Sequence, residues 1–277
     1  MPVYAEWMAK QAEPAPGLPL ALPNPEELCT RPLFAFLRRH SEIYEFFFFS
    51  VTLASGADRT RRIAAEALAK AGSEVDRQRY EDVKQDTQPA MDKLKKFARL
   101  QSENMCIRTV DNFLCYVSEM VQVCLQRRPE LLRSSETIKI EDILRYTRFP
   151  DLLSFLVDRK VNSLAYGGIR ELEAFLADRT GVRLVENDDQ RGSLVVAVEL
   201  RNIYSHNRGL VSDVTLKRLA AIEHGLSLRK GQAKHTDFDE LSSMGNNLMA
   251  IARNLDLQLS SKFGLRRRRF RTHKGSK

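Results

Sequence analysis

Between residues 110 and 125 the apolar side chains Val110, Phe113, Leu114, Val117, Val121, Cys124 and Leu125 recur at three- and four-residue steps. That spacing lays them along one stripe of an α-helix. A helix with such a stripe must bury it against other elements, and Pro129 marks its stop. The same period runs through residues 27 to 54, where Leu33, Phe34, Leu37, Tyr44, Phe47 and Phe48 share a face and Gly56 is expected to end the helix. Further helices are predicted over residues 58–71, 140–148, 151–165, 168–179, 189–206, 213–221 and 237–263, with Pro150, Gly167-Gly168 and Gly181 between them. Residues 76–86 are charged and read as an exposed helix or a connection, and residues 225–235 as a short strand or extended loop. No sustained period-two alternation occurs, so the fold class is all-α, a helical bundle.

The organisation expected from composition has four parts. Residues 1–26 carry six prolines and read as a disordered lead-in. Residues 27–96 form a helical extension, residues 97–263 the main helical domain, and residues 264–277 a disordered basic tail. The chain has a net charge of +8, but Arg266, Arg267, Arg268, Arg269, Arg271, Lys274 and Lys277 all lie in that tail with no acid among them. Without those seven, 37 basic residues face 36 acidic ones, so the body is nearly neutral. The arginines of the tail are candidates for contact with nucleic-acid phosphates, and a solvated tail is the alternative.

Four cysteines, Cys29, Cys106, Cys115 and Cys124, form no C-x-x-C pair and have no histidine at zinc-ligand spacing. The last three lie nine apart in an apolar helical pattern, and the four are read as structural thiols, so no metal or other cofactor is expected. His40, His224 and His235 are expected on solvated faces. The longest apolar run, through Phe46-Phe47-Phe48-Phe49, is far shorter than the roughly 20 residues a membrane span needs. The N-terminus has no apolar signal-peptide core. A cytoplasmic protein without membrane partners is the expectation.

Chemistry concentrates in Glu199-Leu200-Arg201-Asn202-Ile203-Tyr204-Ser205-His206-Asn207-Arg208-Gly209. Leu194, Val195 and Val198 anchor the helix upstream, and Asn207 and Gly209 are residue types that accept a left-handed helix end. His206 therefore stands at a helix C-terminus, where the macrodipole favours an imidazolium. Arginine offers a planar fork to phosphate oxygens, and imidazole moves protons near neutral pH. Together they suit cleavage of a phosphodiester by general acid–base catalysis, Arg201 stabilising the pentacovalent phosphorus, His206 shuttling a proton, and Asn202 orienting either group. No acidic cluster with Mg²⁺ spacing accompanies them. Five residues on an ideal helix separate two side chains by about 140°. Arg201 and His206 can thus share a ligand if the last turn unwinds or if the ligand lies in a cleft. Arg208, Tyr204 and Ser205 are the candidate substrate contacts, with helix-end and packing roles as alternatives, and Glu199 is expected to pair with a basic neighbour. The spacing by itself recurs at Arg268 and His273.

The Arg-Asn-x3-His segment at the end of an apolar helical run, in a chain of many helices, resembles the HEPN superfamily of nucleotide-binding helical domains over roughly residues 97–262. The ribonuclease members of that superfamily carry Arg, a polar residue, then His after four to six intervening positions. The resemblance implies metal-independent endoribonuclease activity, Arg201, Asn202 and His206 as catalytic positions, and RNA as substrate. It further implies a homodimer with two Arg/His sets in a shared cleft and a toxin–antitoxin or antiviral setting, with an antitoxin or other regulatory protein as partner. In members modified by a partner nucleotidyltransferase a Tyr stands two residues after the His, and here that position is Arg208. A non-catalytic helical module that binds nucleotide or RNA is the alternative, and a protein-interaction scaffold a third.

Overall fold

The helix carrying the apolar stripe is the axis of the computed structural model, which describes residues 20–133, 137–220, 222 and 226–272. A short strand β1 (Leu28–Cys29) leads into α1 (Arg31–Ala71), followed by α2 (Glu74–Gln85), α3 (Pro89–Lys96) and the central α4 (Ala98–Arg127). After a 3-10 turn come α5 (Ile140–Leu144), α6 (Phe149–Gly167) and α7 (Ile169–Phe175), whose last turn opens into a π-turn at Leu176–Thr180. Then α8 (Asp188–His206), α9 (Asp213–Leu219), α10 (Phe238–Phe263) and strand β2 (Arg268–Arg269) complete the fold. The protein is all-α, and among the described residues the sheet is one two-stranded antiparallel pair, β1 with β2, in which Leu28 faces Arg269 and Cys29 faces Arg268. No helix among the described residues is long and apolar enough to cross a membrane.

Helix α4 is buried over much more than one stripe. Met105, Val110, Phe113, Tyr116, Val117, Met120, Val121 and Leu125 are all enclosed, an arc of about 200° at ~100° per residue. Helices α1, α6, α8 and α10 cover that arc. The nine-residue cysteine spacing explains an exception to the predicted burial. Nine steps turn a helix through about half a revolution, so Cys106 and Cys124 share the buried face and Cys115 projects on the exposed side.

Helix α1 departs from the predicted break. It runs unbroken through Gly56 for 41 residues, and its first half belongs to the main core, where Leu33, Phe36 and Leu37 pack with Val110 and Phe113. The core therefore begins well before residue 97, and of the residues 27–96 the distal part of α1 packs with α2 and α3. The Asp58 carboxylate fixes that packing by accepting the backbone N–H groups of Ala90 and Met91 at 2.9 Å, donors left over at the start of α3. Helix α2, over the charged segment, starts with a Ser73/Asp76 capping box. Of the segment read as a strand or extended loop, residue 225 lies outside the described residues, and 226–235 supply an extended stretch in which Ala233 bridges to Leu210.

The basic tail is also less free than composition implies. Arg267 donates to the carboxylate of Asp256 at 3.2 Å and to the Leu28 carbonyl, and Asp256 is fully buried while also accepting from the Thr30 hydroxyl. Arg269 and Arg271 both reach Glu26. A carboxylate buried that deeply needs charge-assisted partners, so Arg267 is a pin for the chain end, and Phe270 closes the same corner against Phe34. Arg266 and Arg268 stay exposed. The end of the expected disordered lead-in is likewise held, by Ala21 donating to the Asn246 side chain. The other prolines of the lead-in, up to Pro19, and His273, Lys274 and Lys277 lie outside the described residues, as does His224.

His40 reverses its expected exposure. It is fully buried between Phe36 and Tyr44, with neither ring nitrogen partnered among the described residues. Gly245 on α10 allows this, because a Cβ there would stand 2.6 Å from the Tyr44 hydroxyl and 3.0 Å from His40 Cε1. Burial, reinforced by Arg253, lowers the His40 pKa to about 4. A histidine whose folded pKa lies below its unfolded value of 6.5 binds its proton first in the unfolded chain. Stability should therefore fall as pH drops from 6.5 toward 4, by up to about 3 kcal/mol. Denaturant unfolding at both pH values tests this: the loss should shrink sharply in His40→Leu, and an equal loss in that variant would remove His40 as its cause.

Candidate functional site

Helix α8 starts where Asn187 accepts the Gln190 N–H and ends where Asn207 donates back to the Ile203 carbonyl. Its inner face, with Leu194, Ala197, Leu200 and Ile203, packs into the core. Its outer face carries Arg191, Val195, Val198, Asn202 and Ser205, all exposed or half-buried, at angles within about 40° of one line. Arg201 and His206 lie on the two flanks of that line. The helix stays regular through His206, so the last turn does not swing the imidazole toward Arg201, and within one chain the two side chains do not meet. Both border the same outward stripe, with Asn202 between them.

Arg201 is held from below. Its Nε donates to Asp111 Oδ1 of α4 at 2.8 Å, and its Nη1 donates to Asn202 Oδ1 at 3.2 Å. The pair is partly screened, with the arginine side chain 28% and the aspartate 37% exposed. That arrangement holds the guanidinium at Nε and Nη1 and leaves the Nη2 donors for another acceptor. His206 is exposed and has no hydrogen-bond partner among the described residues. Ser205 is exposed beside it.

The remaining candidates separate. Tyr204, expected among the substrate contacts, is buried, and its hydroxyl pairs with Thr236 at 2.5 Å. Desolvation pushes its pKa up to about 12. It is two steps from Asn202 and so faces inward, where it anchors the residue 226–237 segment to α8. Glu199 is buried as well and accepts from Arg218 of α9 at 3.2 Å, the basic neighbour it was expected to have. Arg208 is exposed, and its backbone is left-handed with φ +52°, followed by Gly209 at φ +80°. The Gly209 N–H returns to the Ile203 carbonyl, closing the helix end. A Cβ on Gly209 would lie 2.8 Å from Arg99 Nη2, which donates to the Arg208 carbonyl. Arg99 is itself fixed by Glu103 at 2.7 Å. The turn after His206 is thus clamped on α4. Arg266 and Arg268 of the tail are exposed, whereas Arg267, Arg269 and Arg271 are engaged in ion pairs.

Asp111, Arg99 and Glu103 escape sequence reasoning because they lie about a hundred residues before the motif and carry no local signature. Among the described residues, no group of three or more His, Cys, Asp and Glu side chains is arranged to hold a metal ion. Comparison with known proteins finds no matching family model, no matching curated protein and no matching solved structure.

The left-handed Arg208 is a test of what that turn is for. A non-glycine residue there costs roughly 1 kcal/mol, so Arg208→Gly should raise stability by about 0.5–1 kcal/mol. Chemical denaturation of the two proteins measures it, and a destabilised variant would show that the Arg208 side chain makes a contact that outweighs its backbone strain.

Proposed function

We propose that the protein is a metal-independent endoribonuclease of the HEPN type, in which Arg201 and His206 act on an RNA phosphodiester laid along the outer face of α8. The observation that carries this reading is the outward stripe at the end of α8. It is bordered on one flank by an arginine preset by Asp111 and Asn202 and on the other by an exposed histidine with no partner among the described residues. The Arg201 fork supplies fixed positive charge where negative charge develops on phosphorus, and a prepositioned donor needs no reorganisation during the reaction. His206 takes the proton of the attacking 2'-hydroxyl and returns one to the leaving 5'-oxygen. Asn202 holds the guanidinium and keeps its amide for the ligand.

A homodimer belongs to this proposal. A two-fold interface uses the same patch twice, and pairing at the C-terminal end of α8, beside the half-exposed Val198, would bring two Arg/His sets to one cleft. That compensates for the ~140° between the two side chains on a single helix. A toxin or antiviral role, held in check by a regulatory protein, and a cytoplasmic location are the setting this chemistry fits.

The test is cleavage of mixed RNA by purified protein in excess EDTA. Wild type should cut, and His206→Ala and Arg201→Ala should each lose at least ~100-fold in rate, the scale of one general acid–base or oxyanion-stabilising group. Equal cleavage by wild type and His206→Ala would sink the assignment. Binding of RNA without cleavage by wild type, unaffected by His206→Ala, would favour a non-catalytic RNA-binding module instead.

A further inference from the structure

Upstream on the same outer face of α8 lies a groove of about 740 Å³, walled on the other side by α7 and the π-turn after it. Its floor is aliphatic: Ile169, Ala174, Val185, Leu194 and Val195. Its rim carries Arg170 from α7, Arg183 from the following loop and Arg191 from α8, with Glu173 as the acid among the lining residues. Glu173 is spent on Arg191 at 2.7 Å. Arg170 and Arg183 are exposed and have no ion-pair partner among the described residues. The groove therefore presents an apolar floor under two exposed guanidinium groups.

A nucleotide of a single strand has the matching form, one flat apolar face and one negative phosphate. Arginine planes and apolar side chains take unstacked bases, and guanidinium forks take phosphates. A duplex would offer the phosphates but hide the base faces. The volume suits one or two nucleotides, within the range of pockets that enclose small ligands. The groove is also continuous with the Arg201 and His206 stripe. Val195 lines it, and Asn202 lies seven residues further along the same face, ~10 Å by helical rise.

We propose that this groove between α7 and α8 binds one or two nucleotides of single-stranded RNA next to the scissile phosphate, Arg170 and Arg183 on the phosphates and the aliphatic floor under the bases. The assignment rests on reading the end of α8 as an RNA-cleaving site and gives that site its substrate class, unpaired RNA.

The probe is a short fluorescent oligoribonucleotide with 2'-O-methyl groups throughout, which cannot be cut through the 2'-oxygen, titrated into the full chain at several salt concentrations. The double variant Arg170→Ala with Arg183→Ala should weaken binding at least ~10-fold and lower the slope of log affinity against log salt by about 1.4, two phosphate contacts at ~0.7 each. Glu173→Gln, which releases Arg191, should tighten binding several-fold, a gain that a damaged fold would not give. Unchanged affinity and slope in the double variant, no oligonucleotide binding by wild type, or equal competition by a paired duplex would each overturn the groove assignment. Groove-dependent binding by a wild type that leaves unmodified RNA intact would support the groove and overturn only the cleavage reading.

Discussion

Enclosure of α4 is the constraint on which the rest of the structure depends. A helix buried over about 200° of its circumference cannot be covered by one neighbour, so α1, α6, α8 and α10 are all drawn onto it. Its polar groups then meet what those neighbours bring. Tyr116 donates to the Ala252 carbonyl of α10, Asn112 donates to the Phe36 carbonyl of α1, and Asp111 receives Arg201 of α8. The rotation of α8 on α4, set by apolar packing of Leu194, Ala197, Leu200 and Ile203, decides which residues of the motif face outward. Function, on this account, is a by-product of how the core orients one helix.

The same logic explains what was legible in the sequence. Helix α8 was readable almost to the residue, because the apolar period, the acidic start and the Asn207–Gly209 exit all agree. The central helix is legible from its apolar period, and its nine-residue cysteine step, two and a half turns, sets Cys115 opposite Cys106 and Cys124. The helix runs on through Gly56 because glycine is a weak helix breaker unless the chain also needs a turn there. The burial of His40 is not legible in the sequence, because a lone histidine carries no sign of it in its own neighbourhood and the room is made by the distant Gly245. The arginines after residue 265 look like free charge in the sequence, whereas Arg267 answers the buried Asp256 and Arg269 and Arg271 answer Glu26. Pairings across such separations leave no periodic trace.

Within the motif, the structure divides residues that adjacency in sequence had grouped. Tyr204 and Glu199 turn inward and hold the 226–237 segment and α9 to the helix. Arg201, Asn202, Ser205 and His206 turn outward, and Arg208 sits on the clamped turn beyond them. The proposed chemistry needs only the outward set, and the groove toward Arg170 and Arg183 extends it in the direction a strand would run.

The chemistry of the RNA ends tests this account most directly. If Arg201 and His206 carry attack by the neighbouring 2'-hydroxyl, mass spectrometry of the products will show a 2',3'-cyclic phosphate on one fragment and a 5'-hydroxyl on the other. Fragments ending in a 3'-hydroxyl and a 5'-phosphate would mean that water, not the ribose, attacks the phosphorus, and would contradict it.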